Sequence, residues 1–305
     1  MNLNHNYQEL RLVKLFHRRS AILLTRATSG AKERQRQSEW KGVAPLSRII
    51  NKDNLRSVLL GVVLPVVIVV FLEIVTAYEV FPPQLVIAPH RVLETFIELL
   101  GTGELQSNFQ ISMFRVLSGF LVGASLGFAL GTITALFSRA ERIISPLLTC
   151  ISQVPLFGWV PLLMLWFGIG ESFKVVFIAF GAFFPMLINT FEGIRGVPGS
   201  YIEVARTFGF SKVRLLRQVL LPAAVPSIFT GIKLALGMSW MLVVGAELIA
   251  AGEGVGFMIV WGRQLMQMDI VYVGIFVVGI VGYLMYLSLN AVETSLMRWR
   301  RRYTD

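Results

Sequence analysis

Residues 111–137 read ISMFRVLSGFLVGASLGFALGTITALF, a nearly unbroken apolar stretch that is long enough to cross a lipid bilayer as a helix. The whole sequence has the same character: 55% of its 305 residues are hydrophobic and 15% are charged. A water-soluble domain of this size would aggregate with that composition. Because the runs are apolar on every face for about twenty residues, they predict membrane-spanning helices rather than the alternating strands of an outer-membrane barrel.

Working outward from this stretch, six apolar runs are separated by charged or turn residues. The sequence therefore predicts an all-α polytopic membrane protein of about six transmembrane helices. One membrane domain is expected over residues 57–297, between basic tails at 1–56 and 298–305, and no signal-peptide pattern precedes the first span. The spans are expected at about residues 58–78, 111–137, 143–167, 173–191, 226–250 and 271–292.

The basic residues are distributed unevenly along a chain whose formal net charge is +10. Of its 28 Lys and Arg residues, 23 lie in the segments 1–57, 138–142, 192–225 and 293–305. Basic residues favour the cytoplasmic side of a membrane, so both termini and residues 192–225 are predicted to be cytoplasmic. In a membrane protein this placement indicates orientation and contact with lipid, and no nucleic acid partner is expected.

Two patterns predict how the spans pack. Glycines recur at every fourth position of the second span, which lets another helix approach closely; they are Gly119, Gly123, Gly127 and Gly131. Packing within the chain is the first expectation, and a seam between two copies is the alternative. The third span contains Pro146, Pro155 and Pro161, and because prolines remove helical hydrogen bonds, either a broken helix beside a cavity or ordinary kinked packing is expected.

The one long polar connection on the cytoplasmic side, residues 192–225, predicts a helical hairpin. Its first helix is expected over residues 200–208, with Ser200 as the N-cap, Glu203 in the first turn and Gly209 as the C-terminal glycine.

The second helix of the hairpin is expected to begin after Ser211, to carry Arg214 and to end before Pro222. A compact hairpin between two spans suits docking to a cytosolic protein. The alternatives are an amphipathic hairpin on the membrane surface and a DNA-reading helix-turn-helix. The second alternative is weak, because spans at both ends would keep the hairpin out of a major groove.

The hairpin resembles the EAA loop of permease subunits of binding-protein-dependent ABC importers. The resemblance rests on Glu203-Val-Ala205, Gly209 and Leu221-Pro222, with Val204 in place of the family's middle alanine. Over residues 105–290 the sequence is similar to the nitrate, sulfonate, taurine and bicarbonate branch. The similar stretches are Gln153-Val-Pro155, Trp159-Val-Pro161-Leu, Leu165-Trp-Phe-Gly-Ile-Gly170, Phe184-Pro-Met-Leu-Ile-Asn-Thr190, Thr230-Gly-Ile-Lys-Leu-Ala-Leu-Gly237, Ala246-Glu247 and Gly254-Val-Gly256.

This resemblance implies a type I ABC importer permease fold in the bacterial inner membrane. It also implies a second permease copy, an extracytoplasmic solute-binding protein and two cytosolic ATPase subunits, which would bind ATP and Mg. The residues expected to couple the permease to the ATPase are Ser200, Glu203, Ala205, Gly209, Ser211 and Arg214. The candidate residues of the translocation pathway are Gln153, Pro155, Trp159, Pro161 and Glu247. Family members often carry an arginine where Gln153 stands, and the N-terminal extension is longer than is typical.

The expected solute is a small oxyanion, with aliphatic sulfonate or taurine ahead of nitrate or bicarbonate. The sequence contains no phosphate-binding loop, and its histidines, His5, His17 and His90, are scattered, so we expect a transporter subunit without catalytic, metal or cofactor sites. Glu247 in the fifth span is expected either to act in transport or to make a structural hydrogen bond.

Two other classes of function remain open at this point. One is a secondary transporter driven by an ion gradient, for which the sequence shows neither an internal repeat nor an evident pair of ionisable residues inside the membrane. The other is a membrane-anchored scaffold or regulatory protein, which would need no ATPase.

Overall fold

The computed structural model describes residues 52–78, 82 and 86–297, with side chains from Val63 onward. Residues 1–51 and 298–305, which make up most of the predicted basic tails, lie outside the described residues. All regular secondary structure in the described part of the chain is helical, which confirms the all-α prediction. The helices are α1 (Lys52–Ala77), α2 (Pro89–Gly101), α3 (Glu104–Leu136), α4 (Ser138–Ser152), α5 (Val160–Phe167), α6 (Glu171–Arg195), α7 (Gly199–Thr207), α8 (Lys212–Ala250), α9 (Val255–Gln264) and α10 (Met268–Leu296).

In the part of the chain that the structure describes, four helices are long and apolar enough to cross a membrane: α3, α6, α8 and α10. A fifth crossing exists if α4 and the segment Leu156–Phe167 together count as one bent span. The part of α1 whose side chains are described, Val63–Ala77, is apolar but shorter than these four helices. The polytopic membrane fold is therefore confirmed, whereas the predicted count of six spans is not, since the described residues provide four or five.

The predicted third span, residues 143–167, is not one helix. It consists of α4, a 3-10 turn at Leu156–Trp159 and α5, and the two halves meet at 94°. The break coincides with Pro155, which has no N–H to donate and holds an extended conformation immediately before the 3-10 turn. Pro161 lies in the first turn of α5, where a missing N–H costs nothing. Pro155 and Pro161 thus mark a broken segment rather than a kink, whereas Pro146 lies inside α4.

By its internal contacts the chain divides at Val70 into two units, and α2 to α10 all lie in the second unit. The first unit contributes the N-terminal part of α1 to the described residues.

Within the second unit, α3 packs tightly against α6. The four glycines predicted to form a groove all face α6: a β-carbon on Gly119 would lie 2.6 Å from Ile178 Cγ2, and one on Gly131 would lie 2.6 Å from the carbonyl oxygen of Leu187. At Gly123 an added β-carbon would collide with the backbone of Ala179. The glycine stripe is therefore filled by a helix of the same chain and is not an open seam for a second copy.

Candidate functional site

The hairpin begins with α7, and its start differs from the prediction. Pro198 occupies the N-cap position without a side-chain cap bond, and Ser200 lies inside the first turn, so the predicted cap at Ser200 is wrong. A proline at this position fixes an extended backbone before the helix without help from a hydroxyl group.

The predicted glycine at the end of α7 is confirmed. Gly209 has a φ of 69°, in the left-handed region that favours glycine. The N–H of Phe210 donates to the carbonyl of Ala205 at 3.0 Å, and the N–H of Gly209 donates to that of Arg206 at 2.9 Å. This pair of bonds is the Schellman pattern, which satisfies the last carbonyls of a helix and turns the chain sharply.

After the turn, Ser211 caps α8, as predicted: its Oγ accepts a hydrogen bond from the backbone N–H of Arg214 at 3.4 Å. The Arg214 guanidinium lies over the ring of Phe210, 5.0 Å from its centroid. The predicted end of this helix before Pro222 is wrong. A π-helical turn at Leu216–Leu220 precedes Pro222, and α8 then continues to Ala250. The wider turn accommodates a residue that cannot donate a backbone hydrogen bond.

The two faces of the hairpin differ in polarity and exposure. Ala205 is buried, and Ile202 packs against an inner apolar cluster of Ile194, Val197, Leu220 and Ala224. Glu203 and Ser200 are exposed. Four large apolar side chains on the outward side are also more than half exposed: Tyr201, Val204, Phe208 and Val213. An exposed apolar patch with polar residues around it is typical of a surface that binds another protein. These four residues are called the outer patch below.

A cavity of about 440 Å³ lies against the broken segment. Its walls come from the end of α4, the 3-10 turn, the middle of α6 and the middle of α8. The lining residues are Ile151, Ser152, Val154, Leu156, Phe180, Gly181, Phe184, Pro185, Ile188, Asn189, Leu234 and Met238. The proline-rich segment therefore does border a cavity, as one of the two sequence alternatives held.

The candidate pathway residues are near this cavity but do not form its walls. Gln153, Pro155 and Pro161 are exposed and do not line the cavity, whereas their neighbours Ser152, Val154 and Leu156 do. Trp159 packs edge-on against Phe180, with ring centroids 5.4 Å apart. Its Nε1 is buried and has no hydrogen-bond partner within the described ranges. The cavity is thus lined mainly by apolar residues of α6 and α8 and not by the predicted pathway residues.

Glu247 is not grouped with those residues. Its side chain is fully buried and accepts hydrogen bonds from Ser112 Oγ at 2.8 Å, Arg115 Nη1 at 2.7 Å and the backbone N–H of Gly256 at 2.9 Å. These bonds connect α8 to α3 and to the start of α9. Gly254 and Gly256 approach the carboxylate so closely that a β-carbon at either position would collide with Glu247. The geometry favours the structural alternative for Glu247.

Arg115 extends this network, and sequence reasoning missed its role. It is 2% exposed and donates to Glu247, to the carbonyl of Glu253 and to Glu171. The buried ammonium of Lys174 donates to Glu171 as well. Arg115 is the one charged residue in the run 111–137, and an isolated charge in a span is a signal of function or pairing. Its carboxylate partners lie 56 and 132 positions away, so the sequence did not reveal the pair.

The described residues contain no group of three or more His, Cys, Asp or Glu side chains arranged to hold a metal ion.

Comparison with known proteins agrees with the membrane fold. The sequence matches the family described as binding-protein-dependent transport system inner membrane component over residues 119–301. It is 40% identical to SsuC of Bacillus subtilis, which is named for aliphatic sulfonate transport, over 80% of this chain and 88% of that protein. It is 36% identical to SsuC of Escherichia coli, with the same named solute, over 79% and 91%. It is 30% identical to the taurine transport system permease protein TauC of Escherichia coli, over 74% and 84%. Because the family match covers more than half of the sequence, this chain belongs to the binding-protein-dependent transport system inner membrane components.

Proposed function

We propose that the chain forms the transmembrane pathway of an ATP-driven importer for a small oxyanion, and that the hairpin of α7 and α8 couples this pathway to a separate ATPase. Aliphatic sulfonate or taurine is the first choice of solute, and nitrate or bicarbonate is the next. The observation that carries the proposal is the continuity of α8, which runs without a break from the hairpin to the wall of the cavity.

α8 couples the hairpin to the cavity mechanically. Leu234 and Met238 of α8 line the cavity, and Leu234 lies 22 residues after Lys212, which at 1.5 Å per residue is about 33 Å along the axis. A helix transmits displacement over such a distance better than a loop does. The π-helical turn at Leu216–Leu220 lies between the two ends, and such turns are common where a helix must bend.

The outer patch supports docking to a protein rather than to lipid headgroups. Its apolar side chains are flanked by Glu203 and Arg206, both exposed and of opposite charge. An apolar centre with a polar rim is the usual composition of a protein interface. Ser200, Glu203, Ala205, Gly209, Ser211 and Arg214 would then act together: Ala205, Gly209 and Ser211 hold the hairpin shape, while Glu203 and Arg214 present charge at its rim.

The choice of solute rests on the relatives and agrees with the cavity. Two relatives are named for aliphatic sulfonates and one for taurine, and each of these solutes joins a sulfonate group to a short apolar part. A cavity of about 440 Å³ lies within the usual size range for small-molecule sites, and its apolar walls suit an aliphatic chain.

The proposed assembly contains two permease chains, two cytosolic ATPases that hold ATP and Mg, and a solute-binding protein on the opposite side. In it both termini and residues 192–225 face the cytoplasm, as the distribution of basic residues predicts.

Growth on defined sulfur and nitrogen sources tests the proposed solute. A strain without this gene should lose growth on methanesulfonate or taurine as the sole sulfur source or on nitrate as the sole nitrogen source, or should lose uptake of bicarbonate, and should regain the lost property when the gene is restored. Growth on cysteine provides the control for general fitness. Normal uptake of all four solutes, together with loss of uptake of an amino acid or a metal ion, would contradict the proposal.

A further inference from the structure

Two buried cations lie near the beginning of α6, one on α3 and one on α6 itself. Arg115 is 2% exposed and Lys174 is 3% exposed. Arg115 directs Nη1 inward, to Glu247 Oε1 at 2.7 Å and to the carbonyl oxygen of Glu253 at 2.8 Å. Its other edge, formed by Nε and Nη2, points away from Glu247. Burial removes water from both cations, so each needs an anionic partner within hydrogen-bond distance.

One exposed carboxylate serves both cations. Glu171 accepts from Arg115 Nε at 2.7 Å and from Nη2 at 2.6 Å, and Lys174 Nζ donates to its Oε1 at 2.7 Å. Unlike its partners, the Glu171 side chain is 63% exposed. The inner edge of Arg115 is therefore paired with a fully buried carboxylate, and the outer edge is paired with an exposed one.

We infer that the outer edge of Arg115 and the ammonium of Lys174 form a binding site for the oxyanion group of the solute, which Glu171 occupies when no solute is bound. Sulfonate, carbonate and nitrate each present two coplanar oxygens that can replace the two oxygens of a carboxylate on the edge of a guanidinium. The inference rests on the proposed function for the class of solute.

The position of Glu171 makes such an exchange possible. It is the first residue of α6 and follows Gly170, so its side chain can turn into water without disturbing a core. The first turn of α6 also presents backbone N–H groups without helical acceptors, which favour an anion at this end. An internal competitor keeps the affinity of the site low, and a transport pathway needs weak sites that release their solute.

The site lies on the same helix as the cavity. Gly181 lines the cavity and follows Lys174 by seven residues, so the two positions share a face of α6 and lie about 10 Å apart along its axis. A solute that replaces Glu171 is therefore held about two helical turns from the cavity wall. With the orientation predicted from the basic residues, this end of α6 is the extracytoplasmic one.

Thermal unfolding of the full-length permease in lipid nanodiscs tests the inference. Midpoints are measured in chloride, sulfate and methanesulfonate at equal ionic strength. Glu171→Ala should lower the midpoint in chloride, because two buried cations lose their shared partner, and sulfate or methanesulfonate should restore it. The half-saturating anion concentration should be at least tenfold lower for Glu171→Ala than for the wild type. Glu98→Ala, at an exposed carboxylate without an ion pair in the described ranges, is the matched control.

A second substitution assigns the response to the buried cation. Lys174→Met in the Glu171→Ala background should abolish the difference between sulfate and chloride. The inference is overturned if Glu171→Ala responds to sulfate no more than Glu98→Ala does, or if neither oxyanion restores a destabilised Glu171→Ala. Uptake by the complete transporter separates the two proposals: sulfonate uptake without an anion response would overturn only the site, whereas no uptake of any oxyanion would overturn the proposed function.

Discussion

Gly209 is the residue on which the shape of the hairpin depends most directly. Its φ of 69° is unfavourable for a β-branched residue, at about 1–2 kcal/mol, although no atom within 4 Å would block a β-carbon. We expect Gly209→Val to reach the membrane at normal abundance, because Gly209 lies in the turn between α7 and α8 and in none of the membrane-spanning helices, but to lose ATPase binding and solute uptake.

Membrane abundance, ATPase co-purification and uptake should be measured in parallel for Gly209→Val. Gly199→Val is the matched control, since Gly199 also has open space around it and does not have a positive φ. Wild-type uptake by a well-expressed Gly209→Val protein would show that this turn does not set the coupling geometry.

Glu247 is the residue whose loss should affect folding most. Removing one partner of a buried ion pair leaves the other charge without compensation, which typically costs about 3–5 kcal/mol. Glu247→Gln should therefore lower the thermal midpoint and the membrane abundance, whereas Glu253→Gln should leave both unchanged, because the exposed Glu253 contributes its carbonyl to the network. An unchanged midpoint for Glu247→Gln in detergent would refute a structural role.

Sequence reasoning at the residue scale succeeded where the physical cause is local. Gly209 and Ser211 were identified because a helix end imposes its requirements within a few residues. Ser200 failed as an N-cap because Pro198 already sets the backbone two positions earlier. Arg115 and Glu247 are brought together only by the packing of α3 against α8, which neighbouring residues do not encode.

At the scale of elements, the close packing of α3 against α6 depends on the glycine stripe of α3, where no side chains separate the two helices. Gly123→Ala should destabilise the protein by about 1–3 kcal/mol, because the new β-carbon would collide with the backbone of Ala179. Gly279→Ala is the control: Gly279 lies inside α10 with nothing within 4 Å, so alanine there should be neutral or stabilising. Equal thermal midpoints for the two variants would contradict this packing.

The limits of each span were predictable only in part. Apolar length identified α3, α6, α8 and α10, because the bilayer sets the number of residues that a crossing needs. The same criterion joined α4 and α5 into one span, since hydropathy does not report a 94° bend. At Pro222 the sequence predicted a helix end that the structure does not have. A proline normally ends a helix, yet here a π-helical turn precedes Pro222 and α8 continues beyond it.

At the scale of the whole molecule, orientation is predicted by the 23 basic residues on one side. Single cysteines introduced by Ser200→Cys and Gly252→Cys, in a Cys150→Ser background, should react from opposite sides of the membrane. Both positions are exposed, as is Cys150, so access depends on the side and not on burial. Labelling of Ser200→Cys by an impermeant reagent in intact cells would reverse the proposed topology.

The family could be recognised from the sequence because its strongest motif lies in a short polar loop. The motif residues from Glu203 to Pro222 are close together in sequence, so no long-range contact is needed to identify them. The buried pair of Arg115 and Glu247 is the kind of feature that a secondary transporter would show. Here every charge in the network has a partner, and the family match favours the importer.

The central claim is that this chain conducts a solute only when a separate ATPase drives it. The most direct measurement is ATP hydrolysis by the complex that co-purifies with the tagged, full-length protein from its own membrane. We predict that an ATPase subunit co-purifies, that its hydrolysis rises severalfold when the sulfonate-loaded binding protein is added, and that Gly209→Val abolishes the rise. Recovery of the protein without any nucleotide-binding subunit, or a hydrolysis rate that ignores the loaded binding protein, would contradict the account.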